Sequence, residues 1–373
     1  MPDPLALSTA HLSTAHSWRG GENQILLLCK GLLARGQQAL ILAPHGAPLL
    51  ERAREADIPT HSLTLRGPLD PVGVWRLARL LRKLKPHLLH LHDGHAILPG
   101  KLAARALPAD RLAVFAHRRT AFAVRGASKF GGRIDQVVAI SAVVREQLLA
   151  AGVPRERVAV VYSGLEFTDG LSKDGAAAQA LRRELGLRTQ DFLIAHAAAL
   201  TSEKRQADLL AALVATKDCG ARRVHLAIAG TGALEEALRS RVQSLGLAGR
   251  AHFLGFRRDL RALWAAADAA SFASETEGLC TALIEAQGAG LPAVITRAGG
   301  MLEVVEADVT GLTVPVGGVK ELATAWTRLA QDPELCEKLG RQASKRTRTR
   351  FSADAMAARM LSLYKQAWRS KER

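Results

Sequence analysis

Apolar runs of strand length alternate with helix-period segments in two series along this chain. The first series reads QQALILAP, PHLLHLHD, LAVFAH, QVVAIS and VAVVYSG, with amphipathic stretches such as AVVREQLLAAGV between. The second reads FLIAHAAAL, VHLAIAGTG, AHFLGF, ASFAS and PAVITRAGG, with helices beginning near Ala207 and running through LRALWAAADAA. Strand, helix, strand, helix is the grammar of a parallel sheet covered on both faces. The interruption, LEFTDGLSKDGAAAQ, is rich in Gly, Asp, Ser and Ala and places a linker near residues 165 to 178. The spacing therefore predicts two doubly wound, Rossmann-like α/β domains, residues 1–168 and 175–350, facing a central cleft. In the tail FSADAMAARMLSLYKQAWRS, Met356, Met360, Leu363 and Tyr364 recur at helical spacing, so residues 352–373 form a helix that must dock.

A chain of 373 residues, 48% hydrophobic, can bury the cores this requires. Cys29, Cys219, Cys280 and Cys336 have neither disulfide-framework nor zinc-finger spacing, which suggests a reducing, cytoplasmic compartment. No signal peptide or membrane-spanning run is expected. The charge is less ordinary: +16 overall, with 22 basic against 13 acidic groups in residues 1–170 and near balance in residues 171–330. A basic N-terminal part suggests an anionic partner.

In open α/β sheets, ligands sit outside the carboxyl ends of the strands. Three glycine turns leading into helices are candidates. Gly20 and Gly21 precede an amphipathic helix closed by Gly36; Gly230 and Gly232 follow a strand and equally fit a tight turn; the third is SETEGLCTALIEAQGAGLP. There Glu277 and Glu285 lie eight residues apart in a run otherwise small or apolar. On one helix they would be about 12 Å apart along the axis and about 80° apart around it. Both could then address one elongated ligand with hydroxyls at its ends and phosphates between. As a plainer alternative, Glu277 is an N-terminal dipole carboxylate and Glu285 an ordinary helix residue.

The stretch EGLCTALIEAQGAGLPAVITRAGGMLEVV resembles the Glu-x7-Glu signature of the retaining glycosyltransferases of family four, which have the GT-B fold. WRGGENQILLLCKGLLARG, PHLLHLHDGHA, QVVAIS, LTSEKRQADLL, AHFLGF and TGLTVPVG extend the similarity over most of the chain, in the manner of bacterial lipopolysaccharide-type enzymes. The resemblance implies that the terminal helix crosses back to the N-terminal domain. It implies a nucleotide-sugar donor, a UDP-sugar favoured: Glu285 on the ribose, and Glu277 with Gly278, Leu279, Cys280 and Thr281 on the sugar and diphosphate. Lys204 matches a phosphate-binding lysine, Gly20 and Gly21 a loop closing over the donor, and Gly230 belongs to the same donor set. Arg257 falls where the base is contacted, and His117 matches a histidine near the reacting centre, although a satisfied core histidine is the plainer alternative. His117, Lys204 and Glu277 are thus the expected catalytic residues. One position departs from the pattern: Ala199 stands where an arginine clamps the diphosphate, and Arg205 is a candidate substitute.

No cofactor is expected. His90, His92 and His95 come without a carboxylate or cysteine cluster, and no Asp-x-Asp pair occurs in the chain, so no metal site is predicted. For the acceptor, HRRTAFAVRGASKFGGR offers Arg118, Arg119, Arg125 and Lys129 beside His117. VGVWRLARLLRKLK reads as a helix with Val72, Trp75, Leu80 and Leu84 on an apolar side and its cations elsewhere; it either packs on its own sheet or meets a membrane surface. Together they suggest an anionic, lipid-linked saccharide acceptor such as a lipopolysaccharide core, with peripheral contact at the inner face of the cytoplasmic membrane. Alternatives from other classes are a non-catalytic sugar-nucleotide sensor and a basic nucleic-acid binder. The latter lacks any helix-turn-helix, zinc finger or RNP-type strand.

Overall fold

The computed structural model describes residues 6–67, 70–121, 124, 126–216 and 222–372. The chain divides into two compact units, Met1–Leu165 with Phe351–Arg373, and Glu166–Arg350.

The first unit is built on seven parallel strands: β1 (Ser8–Leu12), β2 (Gln38–Ala43), β3 (Thr60–Ser62), β4 (Leu88–Leu91), β5 (Ala113–Arg118), β6 (Gln136–Ala139) and β7 (Val158–Val160). Their order, β3-β2-β1-β4-β5-β6-β7, reverses direction between β1 and β4, which marks the crevice where such sheets bind ligands. The register sets His11 beside His90 across β1 and β4, and His90 beside Phe115 across β4 and β5. Central strand β1 is not among the expected apolar runs, because Thr9 and His11 interrupt its apolar pattern. Both are buried, and a side-chain hydrogen bond between them (2.9 Å) satisfies what the sequence reads as polarity.

The helices of this unit begin with α1 (Gly20–Leu33), α2 (Pro48–Glu55), α3 (Pro71–Leu84), α4 (Ile97–Ala104) and α5 (Ala142–Ala150). As expected, α1 stops at a left-handed Gly36, φ +71, whose N–H bonds to Leu33 O. Helix α3 corrects the sequence reading. Its inward side is Gly73, Leu77 and Leu81, whereas Val72, Trp75 and Leu84 are 54%, 56% and 41% exposed, among Arg76, Arg79, Arg82 and Lys83. The Asp70 N-cap, accepting from Gly73 N, fixes which side turns inward.

The second unit has six parallel strands: β8 (Phe192–Ala197), β9 (Val224–Ala229), β10 (Ala251–Gly255), β11 (Ala269–Phe272), β12 (Ala293–Thr296) and β13 (Gly311–Val314). They run β10-β9-β8-β11-β12-β13, with the reversal between β8 and β11. Around them lie α6 (Ala176–Glu184), α7 (Gln206–Ala215), α8 (Glu235–Ser244), α9 (Arg261–Ala266), α10 (Thr281–Gly288), α11 (Met301–Val304), α12 (Val319–Gln331) and α13 (Pro333–Arg350). Trp326 of α12 is fully buried in this core and donates to Ser271 Oγ at 3.1 Å.

The chain then returns to the first unit in α14 (Ala353–Arg369), capped by Ser352. Its Met356, Met360, Leu363 and Tyr364 are buried with Ile25, Leu28 and Cys29 of α1. At about 1.5–3 kcal/mol for each large apolar side chain buried, α14 is an integral part of that core. No helix among the described residues is long and apolar enough to cross a membrane. The fold is two Rossmann-like units, as the two-domain α/β reading expects.

Candidate functional site

In the second unit the two strands flanking the reversal deliver the predicted residues. The chain leaving β8 runs through Ala199 into a 3-10 turn, Ser202–Lys204; the chain leaving β11 runs through Ser274 to Cys280, the N-cap of α10. Lys204 Nζ donates to Glu277 Oε1 at 2.5 Å, with both side chains largely shielded (19% and 11% exposed), and Ser274 Oγ reaches the same oxygen at 3.2 Å. Backbone bonds hold the frame: Glu275 N to Glu203 O, and Gly300 N to Glu277 O. The approach is so close that a Cβ on Gly299 would stand 2.2 Å from Glu277 O, and one on Gly300 2.1 Å from Gly278 O. Glycine is the one side chain those contacts admit.

Helix α10 starts at Thr281, so Glu277 lies in the loop before it, and the axial rise and angle computed for a single helix do not apply. The carboxylates are instead set by different partners. Glu285, inside α10, accepts from Trp264 Nε1 at 3.4 Å; burial raises its carboxyl above the ordinary value, and the indole N–H works against that rise. Gly278, Leu279 and Cys280 are buried, and burial pushes the Cys280 thiol up. The first-turn N–H groups of α10 form the positive end of the helix.

Gly230, φ +140, packs against the end of β8: a Cβ there would stand 1.9 Å from Ala198 O. Arg205, also left-handed at φ 52, gives its guanidinium to Asp208 (2.7 Å) and Glu275 (3.4 Å). Arg257 bonds Leu254 O and Glu184, next to Phe256, which is 74% exposed.

The first unit collects a different chemistry. His117 on β5 is 5% exposed, and neither ring nitrogen has a hydrogen-bond partner among the described residues. It stacks on His90, centroids 5.3 Å apart and planes 5° apart, and His92 lies beside both. His90 Nδ1 bonds Tyr364 Oη of α14 at 2.5 Å, and His11 Nδ1 bonds His92 Nε2 at 3.0 Å. Burial drives His11 down to about 3 and holds His90, His92 and His117 well below their ordinary value, so all four rings are neutral. Nitrogens of His11, His90 and His92 fall within 4.8 Å of one another, but Thr9, Tyr364 and the His11–His92 bond already engage the three rings. Arg119 extends to His92 Nδ1 at 3.3 Å with its Nε and Nη1 shielded and unpartnered; burial brings its guanidinium down to about 10. Its Cδ would lie 3.9 Å from a Cβ on Gly21, which with Gly20 opens α1. Arg118 is half-buried, Lys129 is exposed, and Arg125 lies outside the described residues.

Two family models match in succession. Residues 18–168 match the glycosyltransferase family 4 model, and residues 178–346 match the glycosyl transferases group 1 model. The chain belongs to family four of the glycosyltransferases. EpsD of Bacillus subtilis (strain 168), named as a glycosyltransferase, is 31% identical over 186 residues, 50% of this chain and 48% of EpsD, so the chain spans about half the length of that relative. The lipopolysaccharide core biosynthesis glycosyltransferase LpsD of Rhizobium meliloti (strain 1021) is 25% identical over 290 residues, 78% of each chain. Among solved structures, Anabaena Alr3699/HepE in complex with UDP superposes with a TM-score of 0.83 at 21% identity, covering 96% of this chain and all of that one. That likeness fixes the fold as GT-B.

For a family-four chain, the two glutamates and Lys204 were legible in the signature. Trp264, Gly299 and Gly300 were not, because each reaches Glu285 or Glu277 from a separate helix or turn; Ser274 lies in the same stretch as Glu277, three residues before it, but nothing in the spacing shows that its hydroxyl bonds that carboxylate. His11 and Tyr364 were missed likewise: nothing in the spacing of HLSTAH or MLSLYK announces that both close on His90 and His92.

Proposed function

We propose that this protein is a metal-independent, retaining hexosyltransferase that takes a sugar from a nucleoside diphosphate, a UDP-sugar in the first instance. Its acceptor is an anionic, lipid-linked saccharide such as a lipopolysaccharide core. The observation that carries the reading is the Lys204–Glu277 pair just before the N-terminus of α10. A cation and the positive end of a helix suit a diphosphate, and the adjoining carboxylate suits a sugar hydroxyl. Glu285 beside Trp264 takes the ribose hydroxyls, Arg257 with exposed Phe256 the base, and Arg205 with Gly230 completes the donor side where Ala199 lacks the clamp.

The chemistry follows from charge. Cleaving the anomeric C–O bond leaves its electron pair on the diphosphate oxygen and positive character on the sugar. Lys204 and the α10 terminus stabilise that leaving anion, an effect worth about 10²–10³ in rate for one such contact. The acceptor hydroxyl oxygen bonds the same carbon and passes its proton to the departing diphosphate. His117, neutral and with both nitrogens free, orients the sugar, with Gly20 and Gly21 closing over it.

The acceptor class is supported by Arg118, Arg119 and Lys129 and by the name LpsD carries. The exposed Val72, Trp75 and Leu84 of α3, ringed by arginines, support docking on an anionic membrane, at its cytoplasmic face. Release from anionic vesicles at high salt is the expected result; equal indifference to anionic and neutral vesicles contradicts the docking. The donor reading is tested by melting wild type and Glu285→Ala with UDP, GDP, ADP and their sugar conjugates. One nucleotide series should stabilise the wild type, by about 2.7 kcal/mol at 100 times its Kd, and leave the variant unmoved. No response from any series overturns it.

A further inference from the structure

A cavity of about 510 Å³ lies in the first unit between the start of α4 and the 3-10 turn Ala127–Phe130. Its wall includes His95, Ile97, Leu98, Lys101, Ser128 and Lys129. The size is within the range of sites that hold small molecules. It lies where the chain leaves the carboxyl end of β4, next to the strand reversal of this sheet.

Its charge is one-sided. Lys101 Nζ donates to the backbone carbonyls of Ser128 (3.3 Å) and Lys129 (3.2 Å), which pins the ammonium against the turn. From the other side Lys129 Nζ lies over Gly94, 3.0 Å from where a Cβ would stand. Among the described residues no carboxylate forms an ion pair with either ammonium. Asp93, the acid adjoining Gly94 in sequence, is already taken: its oxygens accept from Thr14 N and Oγ1, His95 N and Ala96 N. Burial, then repulsion from Arg105, lowers the Lys101 ammonium from its ordinary value, as expected for a cation held without a counter-charge. Beside the two cations, Leu98 is 38% exposed and offers an apolar wall.

We propose that this cavity is a phosphate site, in which Lys101 and Lys129 grip a phosphate group carried by the acceptor while Leu98 meets the apolar or sugar portion next to it. Two ammoniums match the double charge of a phosphomonoester better than a single carboxylate. The site deepens the acceptor assignment and rests on it. The phosphate is supplied either by a lipid headgroup or by a soluble phosphorylated saccharide, and the polar contacts are the same for both.

The test is protection of lysines from acetylation, read residue by residue by mass spectrometry on the full-length protein. Probes are inorganic phosphate, glucose 6-phosphate and lysophosphatidic acid, against sodium chloride at matched ionic strength and dodecyl maltoside as an uncharged amphiphile. Expected is selective protection of Lys101 and Lys129 by the phosphate probes, with Lys320 and Lys338 of the second unit, both exposed, unprotected. Lysophosphatidic acid acting at far lower concentration points to a lipid source, and equal potency of glucose 6-phosphate to a soluble one. Lys129→Gln, at an exposed position, should weaken protection of Lys101 about tenfold or more without lowering Tm. Lys101→Gln should do the same for Lys129. Protection no greater than that of chloride, or equal across all surface lysines, overturns the site. UDP binding is measured on the same samples: its absence contradicts the transferase reading, whereas intact UDP binding without lysine protection contradicts the phosphate site alone.

Discussion

The two sheets of this protein are built on the same plan and end in opposite electrostatics. Where the order of the second reverses, a lysine and a glutamate pair at 2.5 Å, framed by glycines that admit no side chain. At the corresponding place in the first, four histidines crowd together uncharged, with His117 and His90 retaining nitrogens that find no partner among the described residues. A satisfied ion pair is a stable resting state that a diphosphate must enter by competing with Glu277 for Lys204. An unsatisfied neutral stack costs stability until a polar ligand arrives. The comparison teaches that one topology can present a charged grip and a neutral, hydrogen-bonding surface, the difference lying in a few residues after each strand.

Acid should separate the two most strongly. A histidine whose folded pKa lies below 6.5 contributes stability that is complete above that pH and drains away as pH falls and the unfolded chain takes the proton. Four such rings sit together in the first unit, each worth up to about 1.4 kcal/mol per pH unit below 6.5. Hydrogen exchange followed from pH 7 to 5 should therefore show β1, β4 and β5 opening first, with β11, β12 and β13, which carry no histidine, holding longer; β8 and β9 of the second unit, whose His196 and His225 are held down to about 4, fall between. His11→Gln should shallow the pH dependence by about one proton, and an unchanged slope would count against the buried neutral stack.

The next largest effect is on catalysis. Lys204→Ala should reduce transfer about 10²–10³-fold in kcat, read in steady-state assays, and Glu277→Gln should raise the donor KM as well. A smaller effect sharpens the contrast within the second unit. Because burial raises the Glu285 carboxyl, stability falls as pH rises from the carboxyl's ordinary value to its raised one, and the loss persists above it. Glu285→Gln should thus melt higher than wild type without ligand at pH 8, with the gap closing toward pH 4, while losing stabilisation by nucleotide. Smallest, Trp264→Phe removes one N–H donor to that carboxylate and should weaken nucleotide binding by about 0.5–1.5 kcal/mol in a calorimetric titration.

Much of this was readable in the chain because alternation and spacing are local. Every apolar run of the two series became a strand, and the helix carrying Met356, Met360, Leu363 and Tyr364 buried all four. What escaped depended on distant contacts. Strand β1 was hidden because its polar Thr9 and His11 satisfy each other inside the core. The outward turn of Trp75 was hidden because Leu77 and Leu81 compete for the same inward side of α3. Helix α13, PELCEKLGRQASKRTRTR, buries Leu339, Gly340, Ala343 and Thr347, with Leu335 and Cys336 packed partly against the core, too thin a stripe to announce itself amid so many charges. The site was legible as two glutamates and a lysine, yet Trp264 and the Gly299–Gly300 turn enter from elsewhere in the unit, and the bond from neighbouring Ser274 to Glu277 depends on how their shared loop folds.

The central claim is that the donor is held in the second unit, by Lys204, Glu277 and the start of α10. Hydrogen exchange by mass spectrometry with and without saturating UDP tests it most directly. The account predicts slowed exchange in peptides covering residues 199–206 and 274–288. Protection absent from both segments, or confined to residues 8–21 and 88–96, would contradict it.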